Sequence, residues 1–122
     1  HEVHHELGPG FLHQVYRRAT MFELRTAKCL FRYLKELPIT YQGHTIGIHE
    51  TRLLLIENKI LLATVAVTAI DEAMKRRMKA FMQMVKVELG LIANFYQTEL
   101  EISFADDKNL LRYIPSCFQY QT

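Results

Sequence analysis

The sequence lacks several features that mark particular classes of protein. Its only cysteines, Cys29 and Cys117, lie far apart, which is the pattern neither of a disulfide scaffold nor of a metal knuckle. We therefore expect two reduced thiols in a cytoplasmic protein. No apolar run approaches the roughly 20 residues that a membrane-spanning helix needs. No basic-apolar-small leader is visible, so we expect neither a membrane span nor a secretory signal.

An excess of one charge is also missing. The chain has 15 basic and 13 acidic residues and a net charge of +2, a balance that does not by itself indicate a nucleic-acid-binding protein. The 49% of hydrophobic residues and 23% of charged residues are ordinary for a globular domain and exclude global disorder. A length of 122 residues predicts a single domain with one core.

A helical pattern follows the turn signal Gly8-Pro9-Gly10. Apolar residues recur at the spacing of one helix face, and they are Leu12, Val15, Tyr16, Ala19 and Phe22. The opposite face carries polar and basic residues, which are Gln14, Arg17, Arg18 and Arg25. The spacing predicts an amphipathic helix that ends near residue 27 or 28.

Three predicted strands come next. Residues 29–41 are rich in β-branched and aromatic side chains, and Pro38 indicates an edge or a break. Residues 45–56 form a second strand, and Glu57-Asn58-Lys59 reads as a tight hairpin connection to a third strand over residues 60–67. Because this third strand is apolar on both faces, we expect it to be central in the sheet.

A second helix begins at Asp71, an expected N-cap or first-turn acid. Its core-facing stripe consists of Met74, Met78, Phe81, Met82 and Val85. Residues 89–95 and 100–104 are two further predicted strands. The order α-β-β-β-α-β-β predicts an α/β (α+β) domain in which helices flank a mixed β-sheet.

Four segments resemble, in order, the motifs of the GxxExxY protein family, a branch of the PD-(D/E)XK nuclease-like superfamily. They are residues 5–12 with Val15-Tyr16, residues 37–43, residues 54–59 and residues 89–95. The resemblance implies a PD-(D/E)XK nuclease-like core over residues 1–104. It also implies a first helix that starts before His1, which fits a chain truncated at its N-terminus. Residues 105–122 have no counterpart and form a C-terminal extension, packed on the domain or on a partner.

The resemblance also implies where a metal-dependent nuclease site would lie. In active members, an Asp of the second strand and a Glu-x-Lys of the third hold Mg²⁺ or Mn²⁺ and cleave a phosphodiester, and a Glu on the first helix often contributes. Here these positions are Leu53, Ala63, Val65 and His13. No acid occurs over residues 58–70, so a one-residue slip does not restore the motif. We expect a degenerate site with no metal, no cofactor and no catalysis.

A rebuilt metal site is the alternative that ranks last. Asp71 and Glu72 open the second helix and could swing toward a metal, although a cap and a solvated acid explain them. Glu50 lies three positions before Leu53, so strand alternation places it on the other face. Glu57 lies at the hairpin tip. His1, His4 and His5 have the spacing of ligand pairs, but an exposed terminal turn explains them.

Two features could support a role without catalysis. The second helix carries a basic stripe that could contact nucleic-acid phosphates, and its members are Lys75, Arg76, Arg77, Lys79 and Lys86. The C-terminal extension holds apolar residues that could contact a partner, and these are Leu110, Leu111, Tyr113, Ile114 and Phe118. The main interpretation is protein–protein interaction, as a homo-oligomer or a structural subunit of an assembly. The alternative is a nucleic-acid-binding domain that does not cleave.

Overall fold

A computed structural model describes residues 1–8, 10, 13–96 and 100–105 of the chain. Its elements, in chain order, are α1 (Glu2–Leu7), α2 (His13–Thr26), β1 (Phe31–Tyr41), β2 (His44–Ile56), β3 (Ile60–Val65), α3 (Glu72–Val85), β4 (Leu89–Asn94) and β5 (Glu101–Phe104). The predicted order is confirmed, and the short helix α1 precedes it.

One five-stranded mixed sheet forms the centre of the fold. Its strands follow the order β1-β2-β3-β4-β5, in which β3 and β4 are parallel and the other neighbours are antiparallel. The mixed α+β class is therefore confirmed. Strand β3 is central, as its apolar faces predict. Strand β1, which contains Pro38, is an edge, where a residue without a backbone donor is tolerated.

The hairpin between β2 and β3 sets the register on which the candidate site depends. Glu57 and Asn58 both have a φ of 54°, the left-handed conformation at both central positions that favours a right-twisted two-strand hairpin. The carboxylate of Glu57 accepts a hydrogen bond from the backbone N–H of Leu30 at 3.0 Å. The resulting register pairs Leu54 with Leu62 and Ile56 with Ile60.

Alternation along the strands produces two apolar clusters, one on each face of the sheet. The first cluster packs against α2 through Tyr16 and Leu24 and includes Leu54 and Ile60. The second cluster packs against α3, and its members include Leu53, Leu55, Leu61, Met78, Phe81 and Ile92. The two helices therefore cover opposite faces, and neighbouring residues of β2 belong to different sides of the molecule.

The orientation of α2 differs from the sequence prediction. Arg17, expected on the solvent face, is only 7% exposed, whereas Phe22, expected in the core, is 64% exposed. The helix is fixed by Tyr16, whose ring stacks on Phe95 at a centroid distance of 4.4 Å. The hydroxyl of Tyr16 also donates to the carbonyl of Gly8 at 2.6 Å. This anchoring rotates the buried face toward Arg17.

The expectation of two reduced thiols is wrong. Cys29 is buried in the α2-side cluster and is disulfide-bonded; the other cysteine of the chain, Cys117, lies outside the described residues. The cytoplasmic location, which was argued in part from reduced thiols, stays a prediction. Among the residues that the structure describes, no helix is both long and apolar enough to cross a membrane.

Candidate functional site

Three of the four positions implied by the resemblance meet in one cleft between the sheet and α3. The hairpin register ends at the Leu54–Leu62 pair, and the next residue of each strand, Leu53 of β2 and Ala63 of β3, lines the cleft. Val65 follows two residues along β3, on the same face. Leu53, Ala63 and Val65 line a cleft of about 150 Å³ together with Met74, Met78 and Phe81 of α3. The fourth position, His13, does not line it.

Most of the residues that line the cleft are apolar. The polar ones, which are His49, Glu50, Thr51 and Arg77, either contact other side chains or backbone groups or lie at the edge of the cleft. The hydroxyl of Thr51 donates to the carbonyl of Leu34 at 2.8 Å. The His49 ring lies against Phe81, with a centroid distance of 5.5 Å. Glu50 is the one carboxylate among the described lining residues, and its Oε1 is 3.2 Å from Nη2 of Arg52. Because Mg²⁺ and Mn²⁺ need several oxygen ligands, this lining fits such an ion poorly.

The position of Glu50 corrects the sequence analysis. Leu34 pairs with Leu53 and Glu36 with Glu50, so β2 advances three residues while β1 advances two. The extra residue is a β-bulge, and Arg52 in it has a φ of 51°, in the left-handed region. A bulge interrupts the alternation of side chains, so the parity argument that removes Glu50 from the cleft is wrong.

The other candidate ligands lie elsewhere. Oδ1 of Asp71 accepts a hydrogen bond from the Met74 backbone at 2.8 Å, which makes Asp71 the N-cap of α3. Glu72 is 3.6 Å from Nζ of Lys75. Neither acid lines the cleft. Within the described part of the chain, no group of three or more His, Cys, Asp or Glu residues is placed to hold a metal ion.

His13 begins α2 and is exposed there. Its Nε2 is 3.4 Å from Nη1 of Arg52. Because a guanidinium can only donate, this contact is a hydrogen bond when the ring nitrogen is unprotonated. The residue at the position that the resemblance implies for the helix Glu therefore contacts Arg52 in the bulge of β2 and does not line the cleft.

The basic residues predicted to form one stripe on the second helix do not all lie on one face of α3. A helix turns by about 100° per residue, which separates Arg77 from Lys75 and Lys79. Arg77 borders the cleft, while Lys75 pairs with Glu72. Lys86 is the C-cap, with a φ of 60°. The predicted partner-binding residues lie outside the described residues, and they are Leu110, Leu111, Tyr113, Ile114 and Phe118.

A second cavity, on the α2 side, was not predicted from the sequence. It has a volume of about 310 Å³ and is lined by Gln14, Arg17, Arg18, Met21, Tyr33, Lys35 and Arg52. Four of these residues are cationic and none is acidic. Their positions in the sequence follow no common spacing, since they come from α2, β1 and the bulge of β2. The one available signal was the adjacent pair Arg17-Arg18, which the sequence analysis assigned to the solvent face.

The fold and the cleft together define a nuclease-like domain, in which a β2–β3 hairpin presents three aligned positions beneath a helix. A family model of the PD-(D/E)XK nuclease superfamily matches residues 1–104. The chain belongs to this superfamily. Comparison with curated proteins and with solved structures finds no match.

Proposed function

We propose that the chain is a catalytically inactive PD-(D/E)XK nuclease-like domain that acts in protein–protein interaction. The observation that carries the first half of this proposal is the apolar lining of the cleft at Leu53, Ala63 and Val65. The resemblance to the GxxExxY family implies that active members carry their metal ligands and their catalytic Lys at these positions.

Packing supports the loss of metal chemistry. Leu53 is 4% exposed and belongs to the cluster that α3 covers, so its side chain fills space that a hydrated cation would occupy. The remaining carboxylate, Glu50, is already paired with Arg52. A divalent ion in this cleft would lose hydration without gaining enough oxygen ligands, which is strongly unfavourable.

The direct test is a cleavage assay with labelled single- and double-stranded DNA and RNA in Mg²⁺ or Mn²⁺. We expect no cleavage above that of a mock purification from cells lacking the protein. Metal-dependent cleavage that EDTA abolishes and that Glu50→Gln removes would show that a rebuilt site exists and would contradict the proposal. Cleavage that Glu50→Gln leaves unchanged would indicate a contaminating nuclease.

The interaction role is supported by an exposed β-arm. Strand β3 pairs with β2 at residues 54–56, so within the described part of the chain residues 37–49 of the β1–β2 hairpin pair with one another. This arm carries Tyr41, Ile46 and Ile48, which are 63%, 66% and 68% exposed. An isolated two-stranded ribbon is marginally stable in water, and contact with a second copy of the chain would cover its apolar side chains.

Analytical ultracentrifugation of the full chain tests this role. We expect a dimer or higher oligomer whose dissociation constant rises at least tenfold in Ile48→Lys. Thr45→Lys is the matched control, because it adds the same charge at another exposed position of β2 without removing an apolar side chain. A monomer at all concentrations, with no co-purifying protein, would contradict the interaction role.

A non-cleaving nucleic-acid-binding domain is the second candidate. It is favoured by Arg77 at the cleft border and by the exposed Arg76 and Lys79 on α3. Fluorescence anisotropy should then show binding that weakens steeply with salt. Arg76→Glu with Lys79→Glu should abolish binding, while Arg25→Glu with Lys28→Glu, the same charge change near the end of α2, should not. Equal losses in both variants would show that only net charge matters.

A further inference from the structure

We propose that the cavity between α2, β1 and the bulge of β2, here called the basic cavity, is a binding site for a phosphate-type oxyanion. The basic cavity is lined by the seven residues given above and lies on the face of the sheet opposite the cleft. The inference goes beyond the proposed function and does not depend on whether the cleft is inactive.

Arg17 is the central observation. The residue is 93% buried, being 7% exposed, and it lines the cavity. Its guanidinium lies over the Tyr33 ring, 5.1 Å from the centroid. Among the described residues, no carboxylate lies within ion-pair distance of Arg17. The Arg17 side chain thus lines the cavity with no described carboxylate to balance its charge, and an anion in the cavity would supply that partner.

The surrounding charges favour the same ligand. Arg18, Lys35 and Arg52 bring further cations to the cavity from three different elements. Within the residues that the structure describes, Arg52 is the one of these cations with an ion-pair partner, the partly exposed Glu50 at 3.2 Å, so the local charge stays positive. Guanidinium groups bind phosphate oxygens in a bidentate geometry. Gln14 adds an amide donor at the rim.

The shape of the site limits its ligand to a small group. A volume of about 310 Å³ accommodates inorganic phosphate or pyrophosphate with bound water. Two sources could provide this chemistry, namely a free phosphate compound or the backbone of a nucleic acid. Both present tetrahedral oxyanions to the same guanidinium groups, so competition experiments are needed to distinguish them.

Isothermal titration calorimetry of the full chain with pyrophosphate, and then with inorganic phosphate, tests the proposal. We expect saturable binding at a single site. Arg17→Met keeps the apolar stem in the core but removes the charge, and it should weaken binding at least about tenfold. Lys35→Met, at an exposed position of β1, should weaken binding severalfold without disturbing the core. If Arg17→Met does not fold by circular dichroism, Lys35→Met decides the test.

Arg25→Met is the matched control. The Arg25 guanidinium also lies over an aromatic ring, that of Phe31, at 5.4 Å, and it comes from the same helix but does not line the cavity. It should leave pyrophosphate affinity unchanged. Absence of saturable binding would overturn the proposal, as would equal weakening by Arg25→Met and Arg17→Met.

Competition with a DNA oligonucleotide that lacks terminal phosphates identifies the source. If the oligonucleotide displaces pyrophosphate, and Arg17→Met weakens the oligonucleotide as well, the cavity takes a phosphodiester backbone. If pyrophosphate stays bound at saturating oligonucleotide, the ligand is a free phosphate compound. Either result supports an oxyanion site, provided that the Arg17→Met effect is present.

Discussion

The two faces of the sheet at β2 differ sharply in chemistry, although consecutive residues of this strand line the sites on the two faces. Leu53 lies in the cleft beneath α3, among Ala63, Val65 and apolar side chains of the helix. Arg52 lines the basic cavity beneath α2, with Arg17 and Lys35. A nuclease of this superfamily needs both a metal ion and side chains that bind the phosphate of its substrate. In this chain, the three positions implied for the metal and the Lys are apolar, and the basic cavity with four cationic residues lies on the other face.

This difference shows that consecutive residues of one strand can contribute to two sites of different chemistry. Alternation keeps the two faces of a hairpin independent, so the side chains on one face can change without a change in register. Four variants test this contrast between the cleft and the basic cavity.

Leu53→Asp should destabilise the domain most. A carboxylate at this buried position would lose apolar contacts with α3 and would be desolvated, at a cost of about 4 kcal/mol in the free energy of unfolding. Urea denaturation with and without millimolar Mn²⁺ measures it, and Leu53→Met should cost less than about 1.5 kcal/mol. Recovery of stability in Mn²⁺ would show that one added carboxylate is enough to form a metal site, and would contradict the claim that the rest of the lining cannot support one.

Arg17→Met should stabilise the protein in phosphate-free buffer by about 1 kcal/mol, because it removes a mostly buried side chain whose charge no described carboxylate balances. Thermal unfolding measures the effect, and the gain should shrink as pyrophosphate is added to the wild type. Arg25→Met should stay within about 0.5 kcal/mol of the wild type. A clear loss of stability in Arg17→Met would mean that its contact with Tyr33 outweighs the cost of burial.

Asp71→Ala should lower stability by about 1 kcal/mol, since it removes the hydrogen bond to the Met74 backbone that caps α3. Asp71→Asn keeps a capping oxygen and should recover most of the loss in chemical denaturation. Glu72→Ala removes only an exposed pair with Lys75 and should change stability by less than about 0.5 kcal/mol. Loss of a metal-dependent activity in Asp71→Ala would instead assign Asp71 to a rebuilt site.

Glu50→Gln should have the smallest effect on stability, below about 0.5 kcal/mol, because its ion pair with Arg52 is largely exposed. It should raise pyrophosphate affinity roughly threefold, since Arg52 is freed from its counter-charge. Calorimetry compares the two proteins. Unchanged affinity would mean that Arg52 does not contact the anion.

Local signals predicted most of the fold. The turn residues Glu57 and Asn58 predicted the hairpin, and the apolar faces of β3 predicted a central strand. Asp71 predicted the start of α3. The grouping of Leu53, Ala63 and Val65 also followed, because hairpin register and alternation are short-range properties.

The parts that could not be predicted depend on tertiary packing. The rotation of α2 that buries Arg17 is set by the stacking of Tyr16 on Phe95, a contact between residues distant in sequence. No glycine in the sequence indicates the bulge at Arg52. The alternation argument therefore placed Glu50 on the wrong face of the sheet. The basic cavity combines three elements, and no spacing rule connects them.

The central claim is that the cleft has lost its metal. A titration of the full chain with Mn²⁺ in phosphate-free buffer, measured by isothermal calorimetry, tests this claim most directly. The Glu50→Gln variant is the comparison. The account predicts no saturable binding in the millimolar range for either protein. Stoichiometric Mn²⁺ binding by the wild type that Glu50→Gln abolishes would contradict it, because it would show that Glu50 and its neighbours have rebuilt a metal site.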